Sequence, residues 1–220
     1  ASAAPSVSAV ARLLSRQQGL VVSVGVTDTA FLAGLHQERG FLVHGLVMQE
    51  THLVRMRQEL QSQRLYGPVS LRKLAGPALP YAKDLATAVV VDDLPGLLSS
   101  GLTLVELARI LSPYGTLVVL NTAGGPAVQP LLAGVGATGL RQGKHKGTGI
   151  AAVYTKPFPK TMDEWTHRYH DAAATGMSND RSLRPVSRVQ WLAGPDKAMP
   201  NRTGFQRGNY GGVTSGGRLY

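Results

Sequence analysis

Apolar residues along the first 155 positions alternate between a helical and a strand rhythm. In 6–18 they fall at Val7, Val10, Leu13 and Leu14, the spacing of one helical face. "LVVSV", 20–24, is a short apolar run that reads as a strand. Thr27 or Asp28 then offers an oxygen to the first free N–H groups of a helix running to about Glu38. "FLVHGLV", 41–47, is the second strand, and 50–64 carries Leu53, Met56 and Leu60 on one helical face. "VSLRKL" makes a third strand, and "ATAVVVDD" a fourth that is apolar enough to lie inside a sheet. Residues 102–111 read as a helix, Pro113-Tyr114-Gly115 as a turn and "TLVVLN" as the fifth strand. After a short helix near 126–134, "ATGLRQGKHKGTGIAAVYTKP" reads as two antiparallel strands joined by the basic loop 143–147.

Strand alternating with helix predicts a mostly parallel sheet covered on both faces, here with an antiparallel hairpin at one edge. From Pro157 onward the periodicity weakens and Gly and Pro become frequent. The expected organisation is an α/β domain over 1–157 and an extended, largely irregular arm over 158–220. The last stretch, "NRTGFQRGNYGGVTSGGRLY", has too little apolar content to build its own core.

Composition adds a core and a charge asymmetry. The chain is 43% hydrophobic and 16% charged, which favours a packed domain over global disorder. Of its net charge of +10, little belongs to 1–140, with ten Lys/Arg against eight Asp/Glu. Residues 141–220 hold thirteen against five, so the C-terminal part of the chain carries the basicity. Such an excess suits nucleic acid, an anionic surface or an acidic protein, although its charges are spaced among Gly, Pro and Ser rather than massed. Without cysteine there are no disulfides or thiolate metal sites. No apolar run approaches the ~20 residues of a membrane span. The start "ASAAPSVSA" matches the small-residue product of signal-peptide cleavage, as it would the trimming of a longer chain. With the absent cysteine it predicts a periplasmic or extracellular location.

Two stretches carry a family resemblance. "LARILSPYGTLVVL", 107–120, and "KLAGPALPYAKDLATAVVVDD", 73–93, resemble the segments around the fifth and fourth strands of class I S-adenosylmethionine-dependent methyltransferases. The resemblance covers about 6–157 and implies a seven-stranded Rossmann-like sheet. A second lies in "MDEWTHRYHDAAATGMSNDRSLRPVSRVQWLAGP", 162–195, which resembles the entry into a pyrroloquinoline-quinone-type β-propeller. That order of domains looks like large exported proteins of planctomycete-type bacteria.

The methyltransferase resemblance implies a cofactor site, and the sequence departs from it. Active members have a glycine-rich first loop that lets backbone approach the ligand; here Gly25 is followed by Thr27, Thr29 and Ala30. The acid that would grip the ribose at the end of the second strand is replaced by Val47, with Met48, Gln49 and the more distant Glu50 beyond it. Asp92 and Asp93 end the fourth strand, where the family keeps catalytic or substrate-side residues. Asp92 is a candidate general base, or a loop carboxylate or helix cap. The site expected from these residues is vestigial, formed by Gly25, Thr27, Glu50 and Asp92, with no catalytic residue and no bound cofactor. If the site is active, Asp92 is catalytic and S-adenosylmethionine the cofactor.

Other chemistry is sparse. His167 and His170 form an H-x-x-H beside Asp171, with His145 distant, but the segment looks like a turn rather than the helix a zinc pair needs. The expectation is no metal, with both histidines facing water or a carbonyl. His36, His44 and His52 suggest no cluster, and no Ser–His–Asp grouping, G-x-S-x-G or P-loop is legible. Lys144, His145 and Lys146 make a basic hairpin tip. Aromatics alternate with arginine at Phe205, Arg207, Tyr210, Arg218 and Tyr220, a pattern suited either to stacking on single-stranded nucleic acid or to packing on protein. Trp165, Tyr169, Trp191, Phe205 and Tyr210 are the expected partner-binding residues. The partner would be a β-propeller, the remainder of the same polypeptide or another subunit. The leading expectation is a non-catalytic methyltransferase-like assembly module; the alternatives are a working methyltransferase and a nucleic-acid or anionic-surface binder.

Overall fold

The computed structural model describes residues 6–120, 129–144, 149–182, 213–215 and 218–219. The chain divides into two compact units, Ala1–Pro157 and Phe158–Tyr220.

The first unit is a three-layer sandwich. Its seven strands are β1 (Leu20–Val24), β2 (Leu42–Val47), β3 (Val69–Lys73), β4 (Ala86–Val91), β5 (Leu111–Leu120), β6 (Arg141–Gln142) and β7 (Ile150–Thr155). They lie in the order β3-β2-β1-β4-β5-β7-β6. The first five are parallel, and β7 runs antiparallel to both β5 and β6. One face is covered by α1 (Val7–Leu13), α2 (Thr29–Arg39) and α3 (Glu50–Ser62), with Leu32, Leu35, Met56 and Leu60 fully buried. The other is covered by α4 (Leu94–Ser99), α5 (Leu104–Ile110) and a 3₁₀ segment, Gln129–Thr138. Burial on both faces explains why β1 and β4 read as continuous apolar runs rather than alternating ones.

Several boundaries differ from expectation for legible reasons. The first helix stops at Leu13, because Leu14 is extended and Ser15 turns away to bond Thr116 Oγ1 and the Tyr114 carbonyl. The Pro-Tyr-Gly turn does not precede the fifth strand but lies inside it. Ala86 pairs with Leu111 and Ala88 with Thr116, so β5 bulges between them, with Tyr114 at φ 62°. The helix α4 is additional: Asp93 caps it through Gly96 N–H, and Pro95 sits in its first turn.

One crossover lacks a helix. From β3 the chain must pass β2 and β1 to reach β4, and residues 74–85 do so as irregular backbone on the α4/α5 side. Side chains replace the missing helix. Glu106 accepts from Leu79 N–H at 2.7 Å and from Arg109, which also donates to the Leu79 and Tyr81 carbonyls. Tyr81 Oη meets His44 Nδ1 at 2.9 Å. At the far end, Lys156 Nζ donates to Asp84 and to the carbonyls of Ala108 and Leu111.

The second unit, among its described residues, is mostly irregular. Thr214–Ser215 (β8) pairs antiparallel with Arg218–Leu219 (β9), and a bridge links His167 with His170.

Candidate functional site

In an open α/β sheet, ligands bind beyond the carboxyl ends of the strands, where the strand order reverses. Here that place lies above β1 and β4. The chain leaves β1 through Gly25, in the left-handed region at φ 78°, whose N–H donates to the Leu46 carbonyl. A Cβ on Gly25 would stand 3.3 Å from Asp93 N and 3.4 Å from Leu97 Cδ1. Its missing side chain therefore accommodates α4 as well as any ligand. Asp28 caps α2 through Ala30 N–H at 2.9 Å, and Thr29 turns inward to Glu59 Oε2 at 2.8 Å. Of the threonines in this loop, Thr27 faces the site: its hydroxyl donates to Asp92 Oδ2 at 3.3 Å.

Asp92 continues β4, its N–H bonded to the Val24 carbonyl. Burial raises its carboxyl above the usual range; the Thr27 hydrogen bond opposes the rise, and neighbouring Asp93 and Asp28 add to it. The helix cap of the Asp92–Asp93 pair is Asp93. Gly25, Thr27 and Asp92 thus come together at the mouth of the crevice.

Glu50 does not join them. It opens α3 and pairs with Lys73 Nζ at 3.4 Å, at the end of β3. In the strand order β3 lies on the side of β2 away from β1. Val47, at the end of β2, is buried among the helices of the α1–α3 face, while Met48 is 36% exposed. The close packing there depends on Gly45: a Cβ would meet Leu71 Cδ2 at 2.6 Å and Leu32 Cδ1 at 2.9 Å.

Within the second unit the expectation for the histidines is corrected. His167 is exposed, but His170 is 4% exposed and held at both ring nitrogens. Asp163 Oδ2 lies 2.6 Å from Nε2 and Thr175 Oγ1 3.0 Å from Nδ1, and the Trp165 ring meets the imidazole edge-on at 5.3 Å. Asp163 also accepts from Asn179 N–H and Ser178, bonds that hold its carboxyl below the usual range, with His170 contributing. This knot orders the turn locally. Among the described residues no group of three or more His, Asp or Glu could hold a metal. Tyr169 is exposed under the Arg168 guanidinium, 5.2 Å from its ring centroid. Trp191, Phe205, Tyr210 and His145 lie outside the described residues.

Sequence reading missed three pairs: Asp84 with Lys156 and His44 with Tyr81, whose partners lie 72 and 37 positions apart, and Asp163 with His170, seven apart in irregular backbone that sets no periodic spacing.

No helix among the described residues is long and apolar enough to cross a membrane. No family model matches the chain, and no curated protein matches it. Solved structures do. The cyclase SpnF is 14% identical, with a TM-score of 0.58 covering 70% of this chain and 81% of SpnF. A protein of Methanococcus maripaludis described as an S-adenosyl-L-methionine-dependent methyltransferase is 12% identical, TM-score 0.54, covering 71% and 85%. A SAM-dependent methyltransferase from Aquifex aeolicus is 17% identical, TM-score 0.50, covering 66% and 86%. The strand order, the two helical layers and these likenesses together give this chain the class I S-adenosylmethionine-dependent methyltransferase fold.

Proposed function

We propose that the first unit is a methyltransferase-like module that has lost its grip on S-adenosylmethionine and serves assembly rather than methyl transfer. The observation that carries this reading is the end of β2. Aligned on the family pattern through Gly45, Val47 falls where the ribose-binding acid is expected, and the next carboxylate, Glu50, pairs with Lys73 at the end of β3. Two ribose hydroxyls without a charged acceptor lose roughly 2–4 kcal/mol, from ~1.5–3 per charge-assisted bond with water as partial replacement. That is about thirty- to a thousand-fold in affinity. The fold does not dictate the chemistry, since one structural neighbour is named a cyclase. In this reading residues 158–220 pack on a β-propeller or a neighbouring subunit outside the cytoplasm, as the resemblance of 162–195 suggests. Titration calorimetry with S-adenosylmethionine tests the proposal: no heat at tens of micromolar ligand is expected, and micromolar binding rejects it.

A working methyltransferase is the second reading, favoured by Asp92, a half-buried acid bonded to Thr27 at the crevice mouth. It requires transfer of a radiolabelled methyl group to an acceptor and loss of that transfer in Asp92→Ala.

A further inference from the structure

The crossover 74–85 is held by two devices of different chemistry. The first is the Glu106–Arg109 clamp, a paired acid and base that grips the backbone of Leu79 and Tyr81. The second is the contact of Tyr81 with His44, in which Oη and Nδ1 lie 2.9 Å apart and the rings meet at 83°. His44, Leu46, Ser70 and Arg72 share one face of the sheet, because β2 and β3 pair His44 with Ser70 and Leu46 with Arg72. On β1 the residue beside His44 is Val22. His44 thus lies between Val22 and Ser70 on the neighbouring strands, with Arg72 near enough for its charge to act on the ring and the phenol of Tyr81 in contact with it.

Among the described residues the charged group that acts on this imidazole is Arg72, and no acid balances a proton there. The phenol can turn its hydrogen and accept, but a half-buried cation beside Arg72 remains unpaired. Burial first, and Arg72 second, hold the His44 imidazole below its ordinary range, so folding favours the neutral ring. The strap leaves the sheet at the end of β3, where Leu74 N–H donates to the Val47 carbonyl.

We propose that residues 74–85 form a proton-released strap: protonation of His44 frees the Tyr81 side chain and loosens the segment from the sheet face it crosses, while the Glu106–Arg109 clamp keeps its middle attached. The sign follows from the neutral ring being the folded form. The Tyr81 contact is intact above the ordinary histidine range, about pH 6.5, and weakens as pH falls below it. Glu106 remains ionised there, because its hydrogen bond from Arg109 holds it below the usual carboxylate range.

Hydrogen–deuterium exchange of the full chain, read by mass spectrometry at about pH 7.5 and about pH 5.5 and corrected for intrinsic rates, tests this. Peptides within 74–85 should exchange several-fold faster at the lower pH, while those of β4 keep their protection. His44→Gln retains a neutral acceptor for Tyr81 and should abolish the difference. Equal corrected rates in the native chain, or an undiminished acid response in His44→Gln, would overturn the proposal. Should that variant fail to fold, the native chain decides alone by NMR: the His44 ring and the 79–83 amides must titrate with one midpoint, and separate midpoints reject the strap.

Discussion

Replacing Lys156 by Met removes the fastening between the end of β7, the end of α5 and the crossover. Its ammonium donates to Asp84 Oδ1 at 2.7 Å, the Ala108 carbonyl at 2.8 Å and the Leu111 carbonyl at 2.7 Å. Both charged side chains are only 15% exposed. Methionine keeps most of the length and apolar stem, so the loss is electrostatic. It leaves the Asp84 carboxylate only the largely exposed Lys83, at 3.6 Å, as a cation, and strands the two carbonyls beside a backbone held in the left-handed region at Asp84, φ 62°. Removing one partner of a buried pair costs about 3–5 kcal/mol; with partial exposure, about 3 kcal/mol is expected. For a domain of this size each kcal/mol moves the midpoint by roughly 2–4 °C, so Tm should fall by about 6–12 °C. Thermal unfolding followed by circular dichroism measures it, with urea titration to check that the slope is unchanged. Adding Asp84→Asn should recover part of the loss, because the stranded charge is then gone. A fall below about 1 kcal/mol, typical of a surface pair, would refute the reasoning.

Two further predictions rest on the same frame. Gly45→Ala places a methyl against Leu71 and Leu32, and the crowding should cost about 1–3 kcal/mol in urea unfolding without altering the secondary structure. Glu106 titrates below the ordinary carboxylate value, chiefly through its hydrogen bond from Arg109, so its contribution is present above about pH 4.3 and lost as pH falls through the folded value. Glu106→Gln should flatten that acid limb of the stability curve while leaving any response near pH 6 in place.

The candidate site was legible only where its residues are local. Gly25 and the Asp28 cap follow from strand-turn-helix spacing, and Asp92 from the end of an apolar run. That Glu50 turns to Lys73 depends on β3 lying at the sheet edge, outside β2, which no periodicity states. Likewise, the H-x-x-H spacing gave no sign that Asp163 would reach His170.

What the sequence determined by itself is the succession of strands and helices, because burial on one face or two imposes a period on neighbouring residues. The parallel sheet and its antiparallel edge follow from that succession and the shortness of the connections. Tertiary structure alone decided which charges meet. Lys156 finds Asp84, and His44 finds Tyr81, only after the crossover is laid over the assembled sheet. Such pairing depends on distances between elements, and a linear pattern holds no measure of those.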